Sequence, residues 1–523
     1  MTGHSIHPPS TITNLQWLGA VLAVLVAALL RSLPLLDNRF HPDEALYASF
    51  ARLIASGRDP LLSGVIVDKP PLSMYVNGLS LVVFGGNELA ARLPNFFASL
   101  ISVALLFALT RRLYDRPTAQ IAAWAFALSP FAILFSITVF IDPLITAFGL
   151  WGLWEAASRR SRRAGLAFAL AFAAKQTALI FLPLAMGLAL LALPSATSPR
   201  QALGQLVTNA RPIVVALLIS ALVVFGWDFV RRAPIGFWGQ GYSDNMPGRF
   251  IRANEVLPRA RAWLDWLHYF TAAPALNTLF LLGLPALLLN AVRRASRAAL
   301  ADLLLAGYLL LYLAWYWLLA FNVWDRYLLP ILPLLAILFA RAAWQIAYGI
   351  WQIAHRGLRL SYHLSPSFGI WNLGVGSLSL DLLPLLLCLS LIHPAIVAAR
   401  SGYPIGGDHG AYEGIDDAAR FIHTLPEGGV LYDHWLSWEW NFYLFDGPLY
   451  VAWFPSPEAL TTDLTAFGRM SPRYLVVPSW EADAEVRAAA ARAGFEFTPL
   501  HASKRRDGST AFVVYRLVFS TRR

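Results

Sequence analysis

Apolar runs long enough to cross a lipid bilayer recur along this chain, and they constrain its fold more than any other feature. Examples are Trp17 to Leu30, Leu93 to Thr110 and Ile213 to Val230. A helix that crosses the hydrocarbon needs about 20 mostly apolar residues. Only 14% of the 523 residues are charged, whereas soluble chains are about a quarter charged. We therefore expect a polytopic membrane protein.

Eleven membrane spans account for the apolar runs. Residues 164–194 are too long for one comfortable span and are interrupted by Lys175 and Gln176, so we expect two short helices that turn near Lys175. Two large polar loops, residues 37–91 and 231–272, separate the apolar runs. The expected spans lie near residues 15–36, 92–110, 119–140, 143–158, the two halves of 164–194, 212–230, 274–292, 298–320, 327–345 and 379–399.

Basic residues fall in short clusters that follow even-numbered spans. Cytoplasmic loops carry an excess of Lys and Arg, so this spacing predicts a cytoplasmic N-terminus, with both large loops and the C-terminus outside. It also accounts for the net charge of +10, and we expect no nucleic-acid partner. The main clusters are Arg111, Arg112 and Arg116; Arg159, Arg160, Arg162 and Arg163; and Arg293, Arg294 and Arg297.

From about residue 401 the composition changes to short apolar runs between amphipathic stretches. Residues 430–432, 474–477 and 512–515 are typical of buried strands, and 411–424 and 482–493 are typical of amphipathic helices. The expected fold is an all-α membrane region with about 11 transmembrane helices, residues 1–400, followed by a small outer α/β C-terminal domain, residues 401–523.

Two adjacent carboxylates, Asp43 and Glu44, follow the first apolar run. Partial burial disfavours the charged form of a carboxyl group, so such a pair is costly unless cations or hydrogen bonds compensate. The pair is therefore a candidate for catalysis. The alternative is a helix N-terminus, with Pro42 in the first turn and both acids complementing the helix dipole. Both interpretations can hold together, because a helix can begin at an active site.

A lysine stands between an acid and two prolines in the sequence Asp68-Lys69-Pro70-Pro71. The residue before a proline is biased towards an extended conformation, and the prolines donate no hydrogen bonds. Lys69 is therefore a candidate to bind a phosphate as a point charge. The alternative is a surface lysine paired with Asp68.

Two further ionisable residues lie within or beside predicted spans. A charge in that position is costly and indicates a functional site by default. Asp142 joins the third and fourth spans, and the alternative there is a helix cap with Pro143 at the first helical position. Lys175 is either an inward-pointing charge or a helix end that extends its ammonium to the interface.

Arg326 stands where the tenth span is expected to begin, followed by Tyr327. A cation at a helix start is unfavourable for the helix dipole, and a nearby anion would explain its placement. The alternatives are an ion pair with Asp325 or an interfacial arginine beside aromatic anchors.

Taken together and in this order, these motifs resemble the lipid-carrier-dependent glycosyltransferases of the GT-C fold. That family includes the protein O-mannosyltransferases and the aminoarabinose transferase of lipid A. The resemblance covers residues 10–345 approximately. It is carried by Asp43-Glu44, Asp68-Lys69-Pro70-Pro71, Asp142, Ala174-Lys175-Gln176-Thr177-Ala178 and Arg326-Tyr327-Leu328-Leu329-Pro330.

The resemblance implies an inverting transfer of a hexose or pentose from a polyprenyl-phosphate carrier to a protein, lipid or glycan acceptor. The reaction would take place on the outer face of the plasma membrane. The implied roles are catalytic for Asp43 and Glu44, binding of the lipid phosphate for Lys69, Arg326 and Tyr327, and supporting for Asp68, Asp142 and Lys175.

No cofactor is certain from the resemblance, and a divalent metal remains one option. At position 68 this chain has aspartate where the aminoarabinose transferases usually have glutamate. The chain has one cysteine, Cys388, which excludes an intrachain disulfide and suggests no cysteine-based metal site.

The chemistry of the motifs fits such a transfer independently of the resemblance. A lipid phosphate leaving group needs cations that absorb its developing negative charge, and an acceptor hydroxyl needs a base such as a carboxylate. Glycine-rich nucleotide-binding motifs are absent from the sequence.

Two other functions remain as alternatives. A transporter or flippase of a lipid-linked glycan predicts broken helices in matching halves, and the sequence has one candidate break, near Lys175. A receptor or scaffold would not explain why acids and a proline-flanked lysine concentrate in the first loop.

Overall fold

A computed structural model describes residues 11–194, 198–246, 248–294, 296–362 and 389–520. Helices make up most of the chain before residue 400. They are α1 (Thr11–Ser32), α2 (Pro42–Ala55), α3 (Leu72–Phe84), α4 (Glu88–Leu113), α5 (Arg116–Ala127), α6 (Pro130–Ser136), α7 (Asp142–Ala157), α8 (Ser161–Ala174), α9 (Leu182–Leu191), α10 (Pro199–Arg231), α11 (Phe237–Asn245), α12 (Val256–Leu267), α13 (Pro274–Arg294), α14 (Arg297–Leu318), α15 (Leu332–Tyr362) and α16 (Leu389–Ala399).

Helix α4 shows how the sequence defines the ends of a long apolar helix. The Asn87 side chain accepts a hydrogen bond from the Ala90 N–H at 2.9 Å, which satisfies a donor that the first helical turn leaves free. Glu88 lies in the first turn, and Arg111 and Arg112 lie in the last, so each end carries the charge that the helix dipole favours.

Several helices are long and apolar enough to cross a membrane, and the protein is a membrane protein. Within the described residues, α4, α10, α13, α14 and the segment Asp325–Ala347 meet this description, and α5 with α6 forms a sixth candidate bent by 57°. The span expected at 119–140 is thus two helices with a break before Pro130. Of the span expected at 379–399, the structure describes residues 389–399. The count of eleven spans stays a prediction.

Within residues 164–194, where two short helices were expected to turn near Lys175, the structure has a helix break at Lys175, and the two membrane crossings stay a prediction. Helix α8 ends at Ala174, and Lys175 adopts an extended conformation with φ −157° and ψ 129°. A 3₁₀ segment, Gln176–Phe181, then leads into α9. The break places the Lys175 side chain among the residues of the candidate site.

One end of the helical bundle gathers arginine residues. The Arg112 guanidinium donates to the carbonyl of Ala157 at 3.1 Å, which joins the ends of α4 and α7. On α15, the Arg341 guanidinium lies 4.5 Å from the ring centre of Tyr114, the residue that follows α4. The ends of α4 and α7 and a middle turn of α15 therefore meet where the sequence has its basic clusters.

The other end of the same helices gathers the predicted site residues. Helix α7 begins at Asp142, the segment leading into α15 begins beside Arg326, and Arg92 near the start of α4 contacts Glu44 at 3.3 Å. The helical stretch from Arg92 to Arg111 is roughly 29 Å long at about 1.5 Å per residue, close to the thickness of a bilayer's hydrocarbon core, about 30 Å. The distance between the site and the basic clusters is therefore close to the thickness of the hydrocarbon core of a bilayer.

A five-stranded sheet follows the bundle, with strand order β2-β1-β3-β5-β4. Strands β1, β2 and β3 pair in parallel, and β5 pairs antiparallel with β3 and β4. The strands are β1 (Val430–Asp433), β2 (Tyr450–Trp453), β3 (Arg473–Pro478), β4 (Phe495–Lys504) and β5 (Thr510–Phe519), and the helices are α17 (Ile415–Ile422), α18 (Ser437–Tyr443), α19 (Pro457–Phe467) and α20 (Ala484–Arg492).

Alternating side chains of β3 build a core on each face of the sheet. Tyr474 and Val476 pack with residues of α17 and α18, and Leu475 and Val477 pack with residues of α19 and α20. The three strands and two helices predicted from the sequence are confirmed. The edge strands β2 and β4 were missed because most of their residues are exposed or only partly buried, and the domain boundary at residue 401 stays a prediction.

The sheet domain rests on α2, the helix that carries both adjacent carboxylates. The Tyr443 hydroxyl accepts from the Phe40 N–H at 3.1 Å, just before α2. Arg52 on α2 donates to the carbonyl of Phe442 at 2.5 Å and pairs with Asp446 at 3.0 Å. The start of α2 is therefore held by the bundle on one side and by the sheet domain on the other.

Candidate active site

The start of α2 is a capped helix terminus, as one sequence interpretation predicted. The His41 ring nitrogen Nδ1 accepts from the Asp43 N–H at 3.2 Å, and Glu44 Oε2 accepts from the His41 N–H at 3.1 Å. Pro42 occupies the first helical position, where its fixed φ suits the helix and its missing N–H is not needed. These contacts fix the direction in which Asp43 leaves the helix.

Glu44 is completely buried, and its carboxylate is surrounded by donors. Oε1 accepts from the Val139 N–H at 3.1 Å and from Arg92 Nε at 3.3 Å, while Oε2 accepts from His41. Burial raises the pKa of Glu44, and Arg92 and the two N–H donors oppose that rise. The Glu44 carboxylate ties α2 to α4 and to the chain before α7.

Asp43 differs from its neighbour because its carboxylate is accessible. Its side chain is 38% exposed, and its Oδ2 accepts a short hydrogen bond from the guanidinium of Arg326. The two residues are 283 positions apart in the sequence. Arg326 also lies over the rings of Phe140 and Trp324, at 5.3 and 5.6 Å, so its planar group is held between aromatic faces and a carboxylate.

Lys69 is buried and makes a short ion pair with Asp68, as the alternative for this motif predicted, although not at an exposed surface. The carbonyl of Asp68 accepts from the Gln176 side chain at 3.3 Å. This contact joins the Asp68-Lys69 segment to the residue that follows Lys175. The helix break near Lys175 therefore also positions Lys69.

Asp142 and Lys175 form a third ion pair, with Nζ 2.6 Å from Oδ1 and both side chains buried. The ammonium also lies 5.4 Å from the ring centre of Tyr327. A buried charge pair is costly to assemble and strongly destabilising to break. The pair links the start of α7 to the turn after α8, and Lys175 points inward.

Lys69, Asp142, Lys175 and Arg326 line one small cavity with a volume of about 10 Å³, which is room for about one water molecule. Lys69, Lys175 and Arg326 all face it, so three cations converge at one point. Its lining residues are Tyr47, Lys69, Phe140, Ile141, Asp142, Lys175, Asn245, Arg326 and Tyr327.

Four lining residues, Tyr47, Phe140, Ile141 and Asn245, were missed by the sequence analysis. Tyr47 lies one helical turn after Asp43, a spacing that puts both on one face of α2 and that could have identified it. Burial, with the charges of Asp68 and Asp43 adding to it, raises the pKa of Tyr47 well above its usual value, so the phenol stays neutral and can donate. Asn245 accepts from the Tyr327 hydroxyl at 3.2 Å, and no local pattern marked Asn245, Phe140 or Ile141.

The part of the chain that the structure describes contains no cluster of side chains suited to bind a metal ion. No three His, Cys, Asp or Glu side chains there are arranged so that they could hold a metal ion. Asp43 and Asp68 are each paired with a cation instead.

Comparison with known proteins gives the same family resemblance as the motifs. Residues 68–227 match the family model described as dolichyl-phosphate-mannose-protein mannosyltransferase. The undecaprenyl phosphate-alpha-4-amino-4-deoxy-L-arabinose arabinosyl transferase of Pseudomonas aeruginosa (strain LESB58) is 28% identical over 321 residues, which are 58% of this chain and 55% of that relative. The chain thus spans about half the length of this curated relative.

The fold is shared over nearly the whole chain with a solved protein. ArnT from Cupriavidus metallidurans in the apo state has a TM-score of 0.61 at 18% identity, covering 97% of this chain and 98% of that one. The same protein bound to undecaprenyl phosphate gives a TM-score of 0.58, with 98% and 99% covered. The resemblance to lipid-carrier-dependent glycosyltransferases of the GT-C fold and the predicted fold class are confirmed.

Proposed function

We propose that this protein is an inverting glycosyltransferase that moves a sugar from a polyprenyl-phosphate donor to an acceptor on the outer side of the membrane. The observation that carries the proposal is the convergence of Lys69, Lys175 and Arg326 on one cavity, together with the accessible carboxylate of Asp43 that pairs with Arg326. The relatives support it, because arabinosyl and mannosyl transferases share sequence and fold with this chain.

The cations would bind the phosphate of the donor. The oxygen that leaves the sugar stays on the phosphate and gains negative charge, which fixed cations in a low-dielectric site stabilise strongly. Lys69 and Arg326 are each paired with a carboxylate in this structure. A bound phosphate would compete for the same cations, so we expect the donor to draw Arg326 away from Asp43.

Release of Arg326 would leave Asp43 free to act as the general base. Asp43 takes the proton of the acceptor hydroxyl, the acceptor oxygen bonds to the anomeric carbon, and the bond from that carbon to the phosphate oxygen breaks. One displacement inverts the anomeric configuration. Of the two adjacent carboxylates, Glu44 is fully buried among donors, so we assign it a positioning role.

The positions of the two ends of the bundle support an orientation in the membrane. The basic clusters lie about one membrane thickness from the site, about 30 Å, and such clusters favour the cytoplasm. We therefore place the site and the sheet domain outside the plasma membrane. In a Cys388→Ser background, Ser243→Cys should react with an impermeant thiol reagent on intact cells, whereas Thr208→Cys should react after permeabilisation. The opposite labelling would overturn the orientation.

The activity test uses the full chain reconstituted in liposomes with polyprenyl-phosphate-linked pentoses and hexoses, and a membrane extract as the acceptor. We expect release of free polyprenyl phosphate with at least one donor, and much less release from the Asp43→Asn variant. A wild-type protein that binds these donors but releases no polyprenyl phosphate would contradict the proposal.

A further inference from the structure

Two consecutive glycines in the segment that leads from α16 to the sheet domain touch the residues next to Asp43 and Arg326. The Gly406 N–H donates to Asp325 Oδ2 at 3.0 Å. The other oxygen of that carboxylate, Oδ1, accepts from the Arg326 N–H at 2.7 Å. Asp325 therefore connects the backbone of Gly406 to the backbone of Arg326.

The second glycine lies against the carboxylate of Glu44. A Cβ atom on Gly407 would lie 2.6 Å from Glu44 Oε2 and 3.3 Å from Thr138 Cγ2, so a side chain there would have to displace the carboxylate. The same Oε2 accepts from the His41 N–H that caps α2. Gly407 thus sets how far the start of α2, with Asp43, can move towards this segment.

The backbone conformation at Gly406 is one that glycine adopts easily. Its φ is +91°, and a Cβ there would lie 3.1 Å from the carbonyl oxygen of Leu134, so an L side chain would be both strained and crowded. Gly410, in the same segment, has nearly the same φ, +90°, but a Cβ there would meet nothing within 4 Å. Gly410→Ala is therefore a matched control for Gly406→Ala, because it introduces the same backbone strain without the crowding.

We infer that Gly406 and Gly407 are positioning residues that hold Arg326 and Asp43 in register from the side of the sheet domain. This inference rests on the proposed function and adds a role for the segment after α16. Gly406 acts on the phosphate-binding cation through Asp325, and Gly407 acts on the base through Glu44. The two contacts meet in adjacent residues, so one rigid peptide sets the relative position of both groups.

Two single substitutions should separate these effects. Displacement of a reacting group by about 1 Å costs about 10²-fold in rate, so Gly407→Ala should lower kcat about 10²-fold with a nearly unchanged KM for the donor. Gly406→Ala should mainly raise the donor KM. Gly410→Ala, with the same backbone strain and open space, should keep both constants close to wild type.

A rescue experiment distinguishes positioning from a general loss of folding. Glu44→Asp shortens the side chain that Gly407→Ala would displace, so the double variant should have a higher kcat than Gly407→Ala alone. Equal losses in Gly410→Ala and Gly407→Ala, or a double variant worse than either single one, would overturn the inference.

A cryo-EM structure of the Gly407→Ala variant tests the inference without any assay of turnover. We expect the Glu44 carboxylate to be displaced and the contact between Asp43 and Arg326 to be lost. An unchanged contact would overturn the positioning role, whether or not the wild-type protein releases polyprenyl phosphate. Absence of turnover in the wild-type protein would instead contradict the proposed function.

Discussion

The helical bundle and the sheet domain both bury charged side chains, but they satisfy them differently. At the bundle site, Lys175 and Lys69 are each paired with a carboxylate. In the sheet domain, the buried carboxylate of Asp433 instead accepts from the Leu436 N–H at 2.9 Å and the Ser437 hydroxyl at 2.7 Å. One region keeps opposite charges side by side, and the other surrounds acids with neutral donors.

This difference separates a binding site from a structural core. An ion pair can exchange one partner for an incoming anion, because the cation keeps its charge throughout. A buried acid held by neutral groups has no such exchange, and burial drives it towards the neutral form. In the sheet domain, burial, with the charge of Asp433 adding to it, raises the pKa of Glu439 to about 8. Substitutions at the bundle site should therefore change activity, whereas those of buried acids in the core of the sheet domain should change stability.

The sharpest test of the bundle side is Asp43→Asn, which keeps the size of the side chain and removes the base. Loss of general-base help typically costs about 10²–10⁴ in rate, and we expect a fall in kcat of that size with normal expression. The measurement is release of polyprenyl phosphate at saturating donor. The exposed Asp265→Asn serves as the control, and a wild-type rate for Asp43→Asn would remove the assignment.

Substitution of the phosphate-binding cations should have the next largest effect. Lys69→Ala and Arg326→Ala should each lower kcat/KM for the donor about 10²-fold, the cost of removing one charge-stabilising group. Arg326→Lys should also be impaired, because an ammonium lacks the planar fork of the guanidinium.

The matched control for these cations is Arg249→Ala, which removes an exposed arginine that pairs with Glu255 at 2.8 Å. We expect its donor titration to match that of the wild type. If Lys69→Ala and Arg326→Ala both kept the wild-type kcat/KM for the donor, the cavity would not be the site that binds the donor phosphate.

The sheet domain should respond to pH through Glu439. Its pKa is about 8 in the folded chain against an ordinary value of 4.5, so the folded state holds the proton more tightly between those values. Stability should therefore be greatest below about pH 4.5 and be lost as the pH rises towards 8, by at most about 1.4 kcal/mol per pH unit. Glu439→Gln should flatten this dependence.

Thermal unfolding in detergent from pH 5.5 to 8.5 measures the effect of Glu439. The exposed Glu427→Gln is the control, and it should keep the wild-type slope. A wild-type slope for Glu439→Gln as well would show that another group carries the pH dependence.

The smallest effect is expected where the two regions meet at the surface. Asp446 is 58% exposed and pairs with Arg52 at 3.0 Å and Arg58 at 2.6 Å. Exposed pairs contribute about 0–1 kcal/mol, so Asp446→Asn should shift the unfolding midpoint slightly and leave turnover unchanged. A large loss of activity would mean that this surface contact, as well as Gly406 and Gly407, positions the site.

Much of the site could be identified from local patterns. Asp43, Lys69, Asp142, Lys175 and Arg326 stood out because a charge beside an apolar run needs an explanation. The structure brings all five together, and the helix break near Lys175 is present. The assigned catalytic and binding roles remain predictions, as do the span count and orientation.

Hydrophobic periodicity and the length of apolar runs are local properties, so they were enough to predict a helical membrane protein with a small sheet domain. Which carboxylate of the Asp43-Glu44 pair is accessible to solvent depends on the tertiary structure. The tertiary structure also decided that Asp43 meets Arg326 across 283 residues and that Gly407 approaches Glu44 too closely for a side chain. These contacts depend on how separate helices pack against one another. No pattern within a short window contains that information.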